Sequence, residues 1–271
     1  MAKPVWPNQA KAAVTLTMDN LGEPLEIQLG LWPKDGLFGT HPSIKESLPK
    51  VLDILDQHHI KATYFIESWS LTIYPDAAQD IKRRGHEIGW HSYQHEFWDK
   101  LNPKQEEENF NKSLKAAHEA GITYAGFRPP SGKPSDTTYH LLRQHGFRYI
   151  SPVGEDLTVK EGLVQLPFKW KEVDAFYYVP EFGGLRKSLG QTEAVVEPDA
   201  VRSHLLARIQ ETVKDNGHLV ILFHPALLDS EEKRGVLKDI AERISNDPDI
   251  WCAPCEPVAD WIKDHPQNLA H

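Results

Sequence analysis

Arg84-Gly85-His86-Glu87-Ile88-Gly89-Trp90-His91-Ser92-Tyr93-Gln94-His95 holds a short apolar run that ends at two histidines four residues apart. The run from His86 to Trp90 reads as a short strand. Four residues is about one helical turn, so if the chain coils there both imidazoles share a face. Imidazole is the commonest protein ligand for metals such as zinc, and a third ligand from elsewhere would leave a position open for water. In a chain with 14 His, chance alone can supply such a pair. Its meaning depends on what else converges on it.

Strand-like and helix-like runs alternate on both sides of this stretch. Upstream, Ala12 to Met18 reads as a first strand. Ser43-Ile44-Lys45-Glu46 has the form of a capping box opening a helix with Ile44, Leu48, Val51, Leu52 and Leu55 on one face. Thr63 to Ile66 is the next strand, and Pro75 to Arg84 a helix closed by Gly85. Downstream, Asn102-Pro103 starts a helix that Gly121 stops. Tyr124 to Phe127 is a strand, Ser135 caps a helix ended by Gly146, and Arg148 to Ser151 and Leu163 to Phe168 are strands. A helix carrying Val201, Leu205, Ile209 and Val213 ends at Gly217. His218 to Phe223 is nearly all apolar, as expected of a strand buried on both faces. Ser230 to Ile244 is helical, Ile250 to Ala253 a last strand, and Val258 to Ile262 a closing helix. Strands separated by helical runs imply parallel pairing, and the length allows two small domains or one α/β barrel. No repeat or low-complexity linker divides residues 1–271, which read as a single domain. The stretches Gly22 to Pro42, with Trp32 and Phe38, and Pro180 to Pro198 read as long loops that shape a pocket.

At 271 residues and 40% hydrophobic, the chain can bury a large core. A net charge of −9 without a basic cluster argues against nucleic acid or an anionic membrane as partner. No run of about 18 apolar residues is present, so no membrane span is expected. Met1 to Gln9 lacks the apolar run of a signal peptide, which points to the cytoplasm. Cys252 and Cys255 are the only cysteines and, without a second pair, read as incidental thiols at a strand end.

Candidate reactive residues fall just past strand ends: Asp19 and Asn20 after the first, Glu67 after the second, His91 after the third. Arg128 follows Tyr124 to Phe127, Asp174 lies a few residues beyond Leu163 to Phe168, and His224 ends the most apolar strand. In a parallel barrel those ends gather on one rim, where such folds place their sites. There is no Gly-x-Gly-x-x-Gly after the first strand and no Gly-x-Ser-x-Gly elbow. Gly126 to Lys133 fails as a phosphate loop because Pro134 stands where Ser or Thr should bind magnesium. His86, His58 and His59 read as structural, Trp90, Trp98 and Trp170 as core, and Trp32 and Trp69 as pocket walls.

Taken in order, these motifs resemble those of the polysaccharide deacetylase (NodB-homology) superfamily, in the branch of allantoinase-like and peptidoglycan-deacetylase-like proteins. Thr17-Met18-Asp19-Asn20 is similar to the family's Thr-Phe-Asp-Asp, and His91-Ser92-Tyr93-Gln94-His95 to its His-Ser/Thr-x-x-His. Arg128-Pro129-Pro130 resembles its Arg-x-Pro, Ile221-Leu222-Phe223-His224 its late Leu-x-x-His, and Asp174 a further Asp motif. The resemblance covers roughly residues 12 to 226. It implies a distorted (β/α) barrel with about seven parallel strands, and hydrolysis of a non-peptide carbon–nitrogen bond. It further implies a divalent metal, zinc foremost with cobalt or nickel as alternatives, held by His91, His95 and an acid. Asp19 would be the general base, Arg128 its partner, and His224 the general acid. Relatives of the allantoinase-like kind imply a homo-oligomer.

The departure is Asn20, since a neutral amide brings no charge to offset a cation. Asp19 itself can then bind the metal, with base duty passing to Glu23, Glu67 or a metal-bound hydroxide. Alternatively Asn20 ligates through its side-chain oxygen, or no metal is used. Backbone N–H groups after Arg128 are candidates for an oxyanion site, limited by Pro129 and Pro130, which have none. Without an export signal or carbohydrate-binding appendage, the expected substrate is a small N-acyl sugar, ureide or cyclic amide, with an oligosaccharide as the rival. Asn20 also keeps open a catalytically silent barrel used for binding or assembly.

Overall fold

Ala12–Asp19 (β1) is buried along its whole length because it has strands on both sides and helices over both faces. The computed structural model describes residues 6–33 and 35–266. The first five residues of the stretch read for a leader lie outside them. The other strands are Thr63–Ile66 (β2), Glu87–Trp90 (β3), Gly126–Phe127 (β4), Tyr149–Ile150 (β5), Thr158–Lys160 (β6), Leu163–Gln165 (β7), His218–Phe223 (β8) and Ile250–Cys252 (β9). They form one nine-stranded sheet. The path β7-β5-β4-β3-β2-β1-β8 is parallel throughout, β9 also pairs parallel with β1, and β6 alone is antiparallel, on β7.

Past β7 the chain swings back toward β8, where Val173 forms an isolated parallel bridge to Leu222. The curled sheet thus carries the seven parallel strands that the family resemblance implies, with β6 and β9 added. Thr158–Lys160 escaped the sequence reading because all three residues are exposed and carry no buried face. The hairpin to β7 turns at Glu161 (φ 52°) and Gly162 (φ 82°), and two positive φ values suit the right-handed strand twist.

Helices cover the sheet on both faces: Leu48–Gln57, Pro103–Glu119 and Glu231–Ser245 share one core with Tyr64 and Ile66, and Cys255–Asp264 shares another with Phe65 and Tyr149. Leu48–Gln57 buries Leu48, Val51, Leu52 and Leu55, the face expected from the periodicity. Pro103–Glu119 and Asp136–Gln144 each begin with a capping box, from Asn102 with Gln105 and from Ser135 with Thr138. Ser43-Ile44-Lys45-Glu46 is not a capping box. Residues Ser43–Ser47 form a π-helical turn, and Ser43 Oγ bonds His41 Nδ1 at 2.6 Å, a local side-chain partner that displaces the cap. The two long loops contain short helices, Pro24–Leu29 and Gly183–Ser188, too brief for periodicity to reveal. Trp90 and Trp98 are core residues. The Trp90 ring centre lies 4.1 Å from that of Phe127, tilted, and 4.3 Å from that of Phe110, edge-on. Among the described residues, no helix is long and apolar enough to cross a membrane.

Candidate functional site

Strand register aligns the rim. β2 pairs with β3 through Ile66 and Trp90, and β3 with β4 through Trp90 and Phe127. The residues that follow, Glu67, His91 and Arg128, therefore leave the sheet side by side. On the other flank Met18 pairs with Phe223, so Asp19 and His224 emerge together. Parallel pairing turns positions distant in sequence into neighbours.

His91 to His95 is not a helical turn. Ser92 (φ 66°) and His95 (φ 63°) are left-handed, and the backbone N–H groups of Tyr93 and Gln94 donate to Glu96 Oε2 at 3.2 and 2.9 Å. Glu96 carries no turn signature in the sequence, and only the fold shows its role. The carbonyls of Ser92 and Tyr93 accept the first N–H groups of the helix Ser68–Ile73, from Ser68 and Trp69. These are donors that a helix start leaves without an internal partner. The contact fastens the histidine loop to Glu67. The two imidazoles still meet, ring centres 5.0 Å apart, but through the loop rather than through helical spacing.

The His91 proton can be located. Its Nδ1 lies 2.7 Å from the Arg128 carbonyl, which can only accept, so Nδ1–H donates and Nε2 presents a lone pair. Burial lowers the His91 pKa to about 3, and burial with the neighbouring His91 takes His95 well below its ordinary value. Both rings are neutral near pH 7, the form that binds metal. His95 Nδ1 is buried without a hydrogen-bond partner.

Asp19 is buried and braced. Its Oδ1 accepts from Arg128 Nη1 at 2.7 Å, and its Oδ2 lies 3.9 Å from His91 Nε2. Arg128 Nη1 also donates to Thr17 Oγ1 (2.9 Å), which shares a strand face with Asp19 two residues on. Nε and Nη2 both reach Ser151 Oγ, and the guanidinium plane sits 4.2 Å over the Phe65 ring. Each edge of this buried cation is matched. Asn20 turns out of β1 with φ 69°, a conformation Asn tolerates, and its Oδ1 is buried without a partner.

Val173, by bridging to Leu222, brings Asp174 against His224. Asp174 Oδ1 accepts from His224 Nδ1 at 2.6 Å, and Oδ2 from the His224 backbone N–H at 2.7 Å. Burial alone would lower the His224 pKa, but the Asp174 carboxylate outweighs it and the net shift is upward. Glu23 lies elsewhere in the rim, its Oε1 taken by Tyr74 Oη and the Gly39 N–H.

Glu67 is fully buried. Its Oε2 accepts from the Leu21 N–H at 3.0 Å and its Oε1 has no partner. Burial raises its pKa to about 8. Among the described residues, Glu67, His91 and His95 form a group whose ligand atoms all lie within 4.8 Å of one another. Two neutral imidazoles, a buried carboxylate and orphaned donor atoms on Glu67, His95 and Asn20 fit a divalent cation. Around the rim, Trp69 packs edge-on against Phe38 at 5.2 Å and Trp32 lies over His41 at 5.6 Å.

Residues 9–150 match the family model described as polysaccharide deacetylase. The peptidoglycan deacetylase of Helicobacter pylori is 32% identical over 129 residues, 47% of this chain and 43% of that protein. The chain thus spans less than half the length of that curated relative. A solved structure from Mycobacterium smegmatis, assigned to the polysaccharide deacetylases, superposes with a TM-score of 0.83 at 26% identity, over 99% of this chain and 96% of that one. An allantoinase, PuuE, superposes with a TM-score of 0.78 at 16% identity, over 100% and 96%, a likeness of fold alone.

Proposed function

The chain belongs to the polysaccharide deacetylase family, and from that premise we propose that it hydrolyses the carbon–nitrogen bond of an N-acyl sugar, a ureide or a cyclic amide. The observation that carries this reading is the buried Asp19–Arg128 pair, whose free carboxylate oxygen lies 3.9 Å from the lone-pair nitrogen of His91. A base, a metal-ligating nitrogen and, at the neighbouring strand end, a carboxylate-backed imidazole are the parts amide hydrolysis needs.

His91 and His95, with an acidic neighbour, would hold a divalent cation, zinc foremost. When bound it would acidify water and polarise the amide carbonyl. The remaining roles belong to the chain. Arg128 holds one oxygen of Asp19 and leaves the other to take a proton from water as that water attacks the carbonyl carbon. The carbon–nitrogen bond then breaks, and His224, whose protonated form Asp174 favours, gives its proton to the departing nitrogen. Asp19 then releases the proton it took to solvent and His224 takes one up, while water's second proton stays with the acid product or leaves to solvent.

The test is a substrate panel of N-acetylated oligosaccharides, ureides and cyclic imides, assayed with the metal-supplemented full chain and with His91→Ala. Turnover of one class, reduced at least roughly 100-fold in His91→Ala, is the expected result. Unchanged turnover in the variant would remove the site. Asn20, where the family pattern has an acid, favours a second reading, a barrel that binds without turning over. Failure of every class despite bound metal would select it.

A further inference from the structure

We infer that Glu67 supplies the third protein ligand to the cation at His91 and His95, in place of the carboxylate that Asn20 lacks, leaving Asp19 free as the base. The inference rests on reading the histidine pair as a metal clamp, and on no particular substrate.

The chain holds two buried carboxylates near the histidines, and they differ in what already neutralises them. Asp19 is paired with Arg128 at 2.7 Å, so its charge has a counter-ion within the protein. Glu67 makes no ion pair among the described residues, and the charged groups acting on it, Asp19 and Glu96, are both acids. A fully buried carboxylate beside other acids is costly as an anion unless a proton or a metal cation joins it, and the two histidines offer the cation's other ligands. Its unpartnered Oε1 is matched by the unpartnered Nδ1 of His95. The ligand atoms of Glu67, His91 and His95 already lie within 4.8 Å of one another, in reach of a single ion after small side-chain adjustments.

The backbone holds this arrangement. Glu67 Oε2 is anchored by the Leu21 N–H, immediately after Asn20, so the Glu67 carboxylate is tied to the turn where the missing acid would stand. The Ser92 and Tyr93 carbonyls lock the histidine loop onto the helix that Glu67 begins. Asn20 to Leu21 and Glu67 to Ser68 lie at neighbouring strand ends, since Asp19 pairs with Phe65. An acid moved from one strand end to the next can therefore serve the same ion.

The purified full chain is stripped with a chelator and titrated with zinc against a chromophoric competitor. Glu67→Gln, which keeps an oxygen for the Leu21 N–H, is compared with His91→Ala, Asp19→Asn and Asn20→Ala. Glu67→Gln and His91→Ala are expected to lose at least roughly 100-fold in zinc affinity, above the range seen when only an outer-shell partner is removed. Asp19→Asn and Asn20→Ala should lose no more than about 10-fold. Restoring an acid in Asn20→Asp/Glu67→Gln should recover binding. Wild-type affinity in Glu67→Gln overturns the inference, as does an Asp19→Asn loss equal to that of His91→Ala while Glu67→Gln binds normally. A wild-type chain that holds no zinc, cobalt or nickel overturns it as well. Should Glu67→Gln lose its cooperative melt, the zinc-loaded wild-type crystal structure decides. A Glu67 oxygen at about 2.0–2.2 Å from zinc supports the assignment. Asp19 or Asn20 there instead removes it. Glu67-dependent binding with no amide turnover would sink the hydrolase reading and leave this one standing. Turnover that needs His91 but not Glu67 would do the reverse.

Discussion

Arg128 reaches Asp19 across 109 residues of chain, Nη1 to Oδ1 at 2.7 Å, with both side chains buried. Removing one partner of such a pair leaves an unmatched charge. Arg128→Met is expected to cost roughly 3–5 kcal/mol in urea unfolding, and Asp19→Asn added to it to recover part of the loss. Arg128→Lys should also destabilise, because one ammonium cannot reach Thr17, Asp19 and Ser151 together. A loss below about 1 kcal/mol for Arg128→Met would mean that Asp19 is not held as a buried anion.

Asp174 accepts from His224 Nδ1 and shifts its pKa upward, which favours the protonated ring. With His224 as general acid, activity falls as pH rises through its raised pKa, and Asp174→Asn lets that fall begin at lower pH. The pH dependence of kcat/KM in wild type and Asp174→Asn checks this. Coincident basic limbs would remove His224 from the proton-donor role.

Gly126 is where the sheet allows a ring to cross the backbone. A Cβ there would lie 1.9 Å from Tyr149 Cζ, and the ring is pinned because Tyr149 Oη donates to Glu87 Oε1 at 2.7 Å. Gly126→Ala is expected to destabilise by roughly 1–3 kcal/mol or more, the cost of overpacking a closed core. Gly30→Ala has no neighbour within 4 Å of its Cβ but has φ 70°, so its loss reports backbone strain alone. Equal thermal shifts for the two variants would contradict the steric account.

His86 is buried, accepts the Ala62 N–H at its Nδ1, and has its pKa lowered to about 4, chiefly by burial. In the unfolded chain it takes a proton near pH 6.5, so its contribution is intact above that value and is lost as pH falls toward about 4. Roughly 1–3 kcal/mol should disappear across this window. His86→Asn keeps an acceptor for the Ala62 N–H but cannot titrate. Its urea midpoint should fall less between pH 7 and pH 4.5 than that of wild type, and parallel falls would exclude His86 as the source.

The alternation of short apolar runs with amphipathic ones was enough to specify parallel α/β pairing, because buried strands and one-sided helices leave different periodicities, and the family resemblance added the barrel. β6 and the helix Gly183–Ser188 left no such trace, being exposed or too short. Asp19, His91, Arg128 and His224 were legible as residues that end strands. Asp174 and His224 were legible only as separate residues of one rim, and the Val173–Leu222 bridge is what places the two together.

Which acid accompanies the histidine pair is another matter. By sequence alone, Asn20 marked a missing carboxylate, and Glu67 was one of several replacements for its neighbour's duties. The pairing of Ile66 with Trp90 sets Glu67 beside His91, and the Leu21 N–H fixes its carboxylate there. Local patterns in a chain determine where strands end. Only the lateral register of a parallel sheet determines which of those ends share a site, because that register joins residues no sequence spacing relates.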